Sequence, residues 1–153
     1  MEAPEDPVSV KSRTGYVIFV GFCPVSWVST LQGLIALSTL ESEYIALSTA
    51  LWELIPLKTI LQELCKNFNL KPFTFVTHTT VFEDNNGCLR LAMTQAMTPR
   101  TKHTANVYHW IRSHINKTIT IVKVDTKLKI ADIFTKPLPI EDFEPLRPML
   151  CGW

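Results

Sequence analysis

Hydrophobic positions follow two different periods along this chain, and the switches between them mark its elements. The run YVIFVGF from Tyr16 to Phe22 is β-branched and aromatic, which predicts a strand, and residues 25–30 read as its hairpin partner. Residues 34–38 fit either a third short strand or the approach to a helix. Ser38 or Thr39 is a good helix N-cap, with acids following in the first turn. Tyr44, Leu47, Leu51, Leu54, Leu57, Leu61 and Leu64 then recur at three- and four-residue intervals, so a long amphipathic helix is expected over residues 40–66. Pro56 should kink it, because proline lacks the N–H and its ring clashes with the carbonyl four residues back.

Beyond Pro72, residues 73–82 are strongly β-prone, and residues 84–93 read as a short helix. A loop holding Pro99 and Arg100 leads to a helix over residues 104–116, with Val107, Trp110, Ile111 and Ile115 as its apolar stripe. Residues 118–124 (TITIVKV) predict another strand, residues 128–135 a helix, and residues 142–150 a last helical piece. The order implies an α/β fold with partly parallel pairing and an antiparallel hairpin at one side. Residues 1–14 are polar and read as a flexible lead-in, leaving residues 15–153 as one domain.

Composition narrows the class. The chain has 153 residues, 46% of them hydrophobic and 19% charged, which excludes a disordered tail, a collagen-like repeat and a coiled coil. Fifteen basic against fourteen acidic side chains give a net charge of +1, so electrostatics alone offers no argument for nucleic acid. Cys23, Cys65, Cys88 and Cys151 are scattered and form no CxxC pair. They read as reduced thiols of a cytoplasmic or nuclear protein. No uninterrupted apolar stretch approaches the roughly 18 to 20 residues that span a bilayer, and no membrane partner is expected. Trp27, Trp52 and Trp110 are expected to fill the core rather than stack on bases.

The histidines form neither an HExxH nor a zinc-finger pattern, and phosphate-loop and nucleophile-elbow motifs are missing from the sequence. Acidic residues are better placed. Glu43 falls in the first turns of the long helix, Asp84 at the carboxyl end of a strand, and Asp132 on the helix after the last strand. Sites in open α/β sheets gather outside the carboxyl ends of strands, and carboxylates from separate elements suit hard divalent cations. Each acid alone is better explained as a solvated side chain.

Five segments change that weighting: SRTGYVIFVGFCPVSWVS, ALSTLESEYIALSTA, FEDNNGCLRLA, RTKHTANVYHWIR and ADIFTKPLP. In order and spacing they resemble the ribonuclease H domain of copia-type (Pseudoviridae) retrotransposon Pol polyproteins, over residues 11–150. The resemblance implies an RNase H-like mixed sheet with flanking helices. It implies metal-dependent hydrolysis of the RNA strand of RNA–DNA hybrids, with the polyprotein's reverse transcriptase domain upstream. Carried over by motif, Glu43 (with Glu41 as the weaker alternative), Asp84 and Asp132 would be the catalytic, metal-binding carboxylates. They would hold two Mg²⁺ or Mn²⁺ ions roughly 4 Å apart. From the residues themselves, Arg100, Lys102, His103, Arg112 and Lys117 form a modest basic patch, which fits equally well nucleic-acid phosphates, contacts that position a duplex without reading it, and an ordinary solvated helix face.

Departures from the family pattern matter too. The family's first strand ends in an aspartate that, counted back from Tyr16, falls just before Met1. First strand and first metal ligand are therefore expected to be missing, leaving an incomplete two-metal site and impaired hydrolysis. The competing expectation is a non-catalytic RNase H-like module that binds nucleic acid or protein, or a decayed retroelement fragment.

Overall fold

A computed structural model describes residues 11–71, 79–94, 110–115 and 117–152. Strands β1 (Arg13–Val20) and β2 (Cys23–Leu31) form an antiparallel hairpin. Its turn is the pair Gly21 and Phe22. Gly21 has φ +65°, the left-handed conformation that glycine takes without steric cost in a two-residue hairpin turn. The register slips between Ile18 and Phe19, so Pro24 pairs with Phe19 beside a bulge. A bulge is one of the few places in a sheet that tolerates proline's missing donor.

Helix α1 (Thr39–Asn67) opens on Ser38, whose hydroxyl accepts from the Glu41 N–H at 3.2 Å. The Glu41 carboxylate accepts from the Leu37 N–H at 2.8 Å, so residues 34–38 are the approach to a helix and not a strand. The helix runs through Pro56 to Asn67 and closes with Asn69 at φ 54° and a Leu70 N–H donated to the Cys65 carbonyl. Tyr44, Leu47, Leu51 and Leu54 face a core shared with Tyr16 and Ile18 of β1 and with Ile111, Ile119 and Ile121. By length and composition α1 could cross a bilayer, but this buried stripe against the hairpin is the behaviour of a core helix. Polar ties fix its pose: Ser26 donates to Glu53, and Gln32 donates both to Thr14 and to the Ser42 carbonyl.

Strand β3 (Thr79–Glu83) lies parallel to β4 (Ile119–Lys123), with Thr79 opposite Ile119 and Glu83 opposite Lys123. Between them come helix α2 (Asn86–Met93), capped by the Asn85 side chain, and a 3₁₀ turn at Trp110–Ser113. Most of the helix predicted over residues 104–116, and residues 73–78 of the predicted strand, lie outside the described residues. The helix predicted at residues 128–135 is replaced by two 3₁₀ turns, Thr126–Leu128 and Ile130–Phe134. The break falls at Lys129, whose extended backbone (φ −77°, ψ 92°) cannot belong to a continuous helix. Helix α3 (Ile140–Cys151) is capped by Gly152 in the left-handed conformation.

The expected α/β architecture is present in part: the described strands form two two-stranded sheets, one antiparallel and one parallel, with helices packed on them, and β1 is not hydrogen-bonded to β3. Between them runs a groove of about 880 Å³, lined by every residue from Gly15 to Gly21 and from Thr79 to Glu83, with α1 as its floor. Successive strand residues point to opposite faces, so a cavity lined by all of them follows both strand edges. The tryptophans differ from expectation. Trp27 lies on the outward face of β2 and is 59% exposed, and Trp52 on the outer side of α1 is 60% exposed. Trp110 is half-buried and packs edge-on against Trp52, with ring centroids 4.8 Å apart.

Candidate carboxylate–lysine site

At one end of the groove, three segments bring four charged side chains together. Glu43 comes from the first turns of α1, Glu83 from the last residue of β3, Asp84 from the residue after it, and Lys129 from the break between the two 3₁₀ turns. The Lys129 ammonium lies 2.7 Å from Asp84 Oδ1, 3.0 Å from Glu43 Oε2 and 3.4 Å from Glu83 Oε1. Local chemistry aims each acid. Thr126 donates its hydroxyl to Asp84 Oδ2 at 2.8 Å, and the Asn85 N–H donates to Glu83 Oε1 at 2.9 Å.

Burial and charge pull these groups in different directions. Desolvation pushes Glu83 up from 4.5 to about 7, against the opposing pull of Lys129 and the Asn85 N–H. Burial also disfavours the Asp84 anion, but hydrogen bonds from Lys129 and Thr126 outweigh it and hold the carboxyl below its ordinary value. Lys129 is only 7% exposed, yet the three acids raise its pKa despite that burial. Neighbouring Cys88, fully buried under the cluster, is pushed up by desolvation and is not a nucleophile at neutral pH.

Of the carboxylates singled out in the sequence, Glu43 and Asp84 meet on one lysine. Asp132 is buried, pairs with Lys136 at 2.9 Å, and is not among the groups gathered on Lys129. Glu41 serves the helix start instead. Arg112 is half-buried, with its guanidinium against the Tyr44 hydroxyl, while Arg100, Lys102 and His103 lie outside the described residues.

Glu83 and Lys129 were missed. Parity along β3 could have found Glu83, because Thr79, Val81 and Glu83 share the inward face. Nothing in the sequence marks Lys129.

Carboxylate oxygens are the right donors for Mg²⁺ or Mn²⁺. Here, however, the oxygens that face one another are engaged by Lys129. Among the described residues no three His, Cys, Asp or Glu side chains are placed to hold a metal ion. As folded, the cluster does not fit a divalent cation.

Comparison with known proteins agrees with the motif pattern. The chain is 36% identical over 135 residues to the retrovirus-related Pol polyprotein from transposon TNT 1-94 of Nicotiana tabacum, covering 88% of this chain and 10% of that protein. It is 30% identical over 134 residues to the Pol polyprotein from transposon RE1 of Arabidopsis thaliana, covering 87% of this chain and 9% of that protein. For transposon RE2 of the same plant the figures are 31% over 128 residues, 83% and 8%. No family model and no solved structure matches. With about a tenth of the length of these relatives, and matched to them over most of its own, the chain belongs to the retrovirus-related Pol polyproteins of copia-type transposons.

Proposed function

We propose that the chain is an RNase H-like domain of such a polyprotein, built to act on the RNA strand of an RNA–DNA hybrid, with its hydrolytic activity impaired. The observation that carries this reading is the meeting of Glu43, from the ESEY motif, with Asp84, from the EDN motif, at the rim of the groove. Two motifs distant in sequence reach one point because α1 crosses the β1 side and β3 delivers its carboxyl end there.

The groove supports the fold assignment. An extended segment laid along it would pair with β1 on one side and β3 on the other. Two sheets would then become one mixed five-stranded sheet, and a carboxylate at the segment's end would join the cluster. Mg²⁺ or Mn²⁺ would be the cofactor of the intact activity, with Glu43 and Asp84 as carboxylates to hold it and Asp132, paired with Lys136 in the chain as folded, as the third. In the chain as folded, Lys129 engages the oxygens of Glu43 and Asp84, and this is the reason hydrolysis is proposed to be impaired. The reverse transcriptase domain of the same polyprotein would be its neighbour upstream, and the basic residues Arg100, Lys102 and His103 would meet hybrid phosphates.

Lys129 also favours a second reading, a non-catalytic module that binds a hybrid without cutting it. One experiment separates the two. The chain, and the chain preceded by a family-like strand ending in aspartate, are assayed on a labelled RNA–DNA hybrid with Mg²⁺ and with Mn²⁺. Cleavage gained on extension and abolished by Asp84→Asn supports the RNase H reading. Hybrid retention without cleavage by either protein supports the module. Neither binding nor cleavage would refute both.

A further inference from the structure

We propose that Lys129 is a built-in counter-ion whose ammonium takes the place of a divalent cation among Glu43, Glu83 and Asp84. The folded chain then holds this cluster together without metal and keeps Mg²⁺ and Mn²⁺ out of it. This stands on the geometry of four side chains alone, so it can fail while the RNase H reading survives, and the reverse.

The ammonium is matched to its surroundings. It has three donors, and three carboxylate oxygens from separate residues lie within 3.4 Å of it. Four of the six oxygens of its partners already accept a hydrogen bond. The second oxygen of Asp84 is engaged by Thr126, and the oxygen that Glu83 turns to Lys129 also accepts from the Asn85 N–H. Magnesium demands near-octahedral oxygen ligands at about 2.0–2.1 Å and would have to strip these donors away.

Nor can the lysine easily yield its place. Its N–H is bonded to the Thr126 carbonyl and its own carbonyl accepts from Asp132, so the backbone is held between two turns. The side chain is 8% exposed, and the acids around it strengthen its charge. A dication at this point would sit a few ångströms from a fixed positive charge where water screens poorly. Removing the ammonium should reverse the preference, because the acids would be left uncompensated in a partly buried site.

The test is a Mn²⁺ titration at pH 7.5, with free Mn²⁺ followed by electron paramagnetic resonance and stability by thermal unfolding. It compares the chain with Lys129→Arg, Lys129→Gln and Lys129→Gln combined with Asp84→Asn. Wild type and Lys129→Arg should leave Mn²⁺ free up to about 1 mM, with unchanged melting temperature. Lys129→Gln should bind about one Mn²⁺ at least tenfold more tightly than wild type and melt higher when it does. The double variant should lose that gain. Submillimolar binding by wild type that Asp84→Asn abolishes would overturn the proposal, and so would a Lys129→Gln variant that binds no better than wild type. If Lys129→Gln is unfolded in metal-free buffer, recovery of its near-ultraviolet circular dichroism with Mn²⁺ supports the proposal, and failure to recover counts against it.

Discussion

The hairpin pairs Arg13 with Leu31 through a two-residue turn, whereas β3 and β4 pair Thr79 with Ile119 across a helix and a 3₁₀ turn. The hairpin half is held by an apolar seam: Tyr16 and Ile18 against Leu47, Leu51 and Leu54 of α1. The parallel half buries Ile119 and Ile121 in the same core, but its open end is closed by charge, with Glu43, Glu83 and Asp84 around Lys129. Apolar contacts are nondirectional and tolerate small adjustments. A buried ion cluster is stable only while every member keeps its partner. The two halves should therefore respond to mutation and pH in different ways.

The largest effect is expected at the cluster. Lys129→Met removes the shared cation from three acids and should lower stability by about 4 kcal/mol in metal-free urea denaturation. A loss below 1 kcal/mol would mean that the acids are well solvated and the contrast with the hairpin half is false. On the apolar side, Leu51→Ala opens a cavity at a side chain with no exposure, and should cost about 3 kcal/mol at any pH.

A pH scan sharpens the difference. Burial raises Glu83 to about 7, so between pH 4.5 and 7 the folded chain binds a proton that the unfolded chain has released. Stability should then fall as pH rises through that window, by on the order of 2 kcal/mol, and Glu83→Gln should flatten the slope. Asp84 works oppositely at lower pH: its depressed value makes its contribution fade as pH falls through the acid range. A wild-type chain equally stable at pH 5 and pH 8 would contradict the assignment.

Smaller effects test how the halves are joined. A Cβ on Gly15 would stand 2.6 Å from the Thr135 methyl and 2.9 Å from the Phe134 backbone carbon, where β1 meets the turn that follows Lys129. Gly15→Ala should cost about 1–2 kcal/mol by thermal melting, because backbone cannot move aside as a side chain can. Trp27→Ser, on the exposed face of β2, should change stability by less than about 0.5 kcal/mol. A large loss there would show that this face is covered in solution.

Legibility in the sequence follows the same division. The hairpin, α1 and both parallel strands could be read because each is written in consecutive residues with one dominant period. Ser38 could be read as a cap because its hydroxyl bonds an N–H only three residues away. The tryptophans misled because hydrophobicity says nothing of direction: Trp52 adjoins fully buried Leu51, and one step around a helix turns the larger ring to solvent.

By itself, the sequence determined the elements whose reasons are local, together with the motifs that tie Glu43 and Asp84 to a common family. Tertiary structure alone decided which charges meet. The predicted helix at residues 128–135 had an acceptable pattern, but Lys129 adopts extended backbone and its side chain reaches acids on α1, on β3 and just past its end. No pattern confined to consecutive residues carries that information, because the energy of a buried ammonium depends on partners that the fold brings from 45 and 86 positions away.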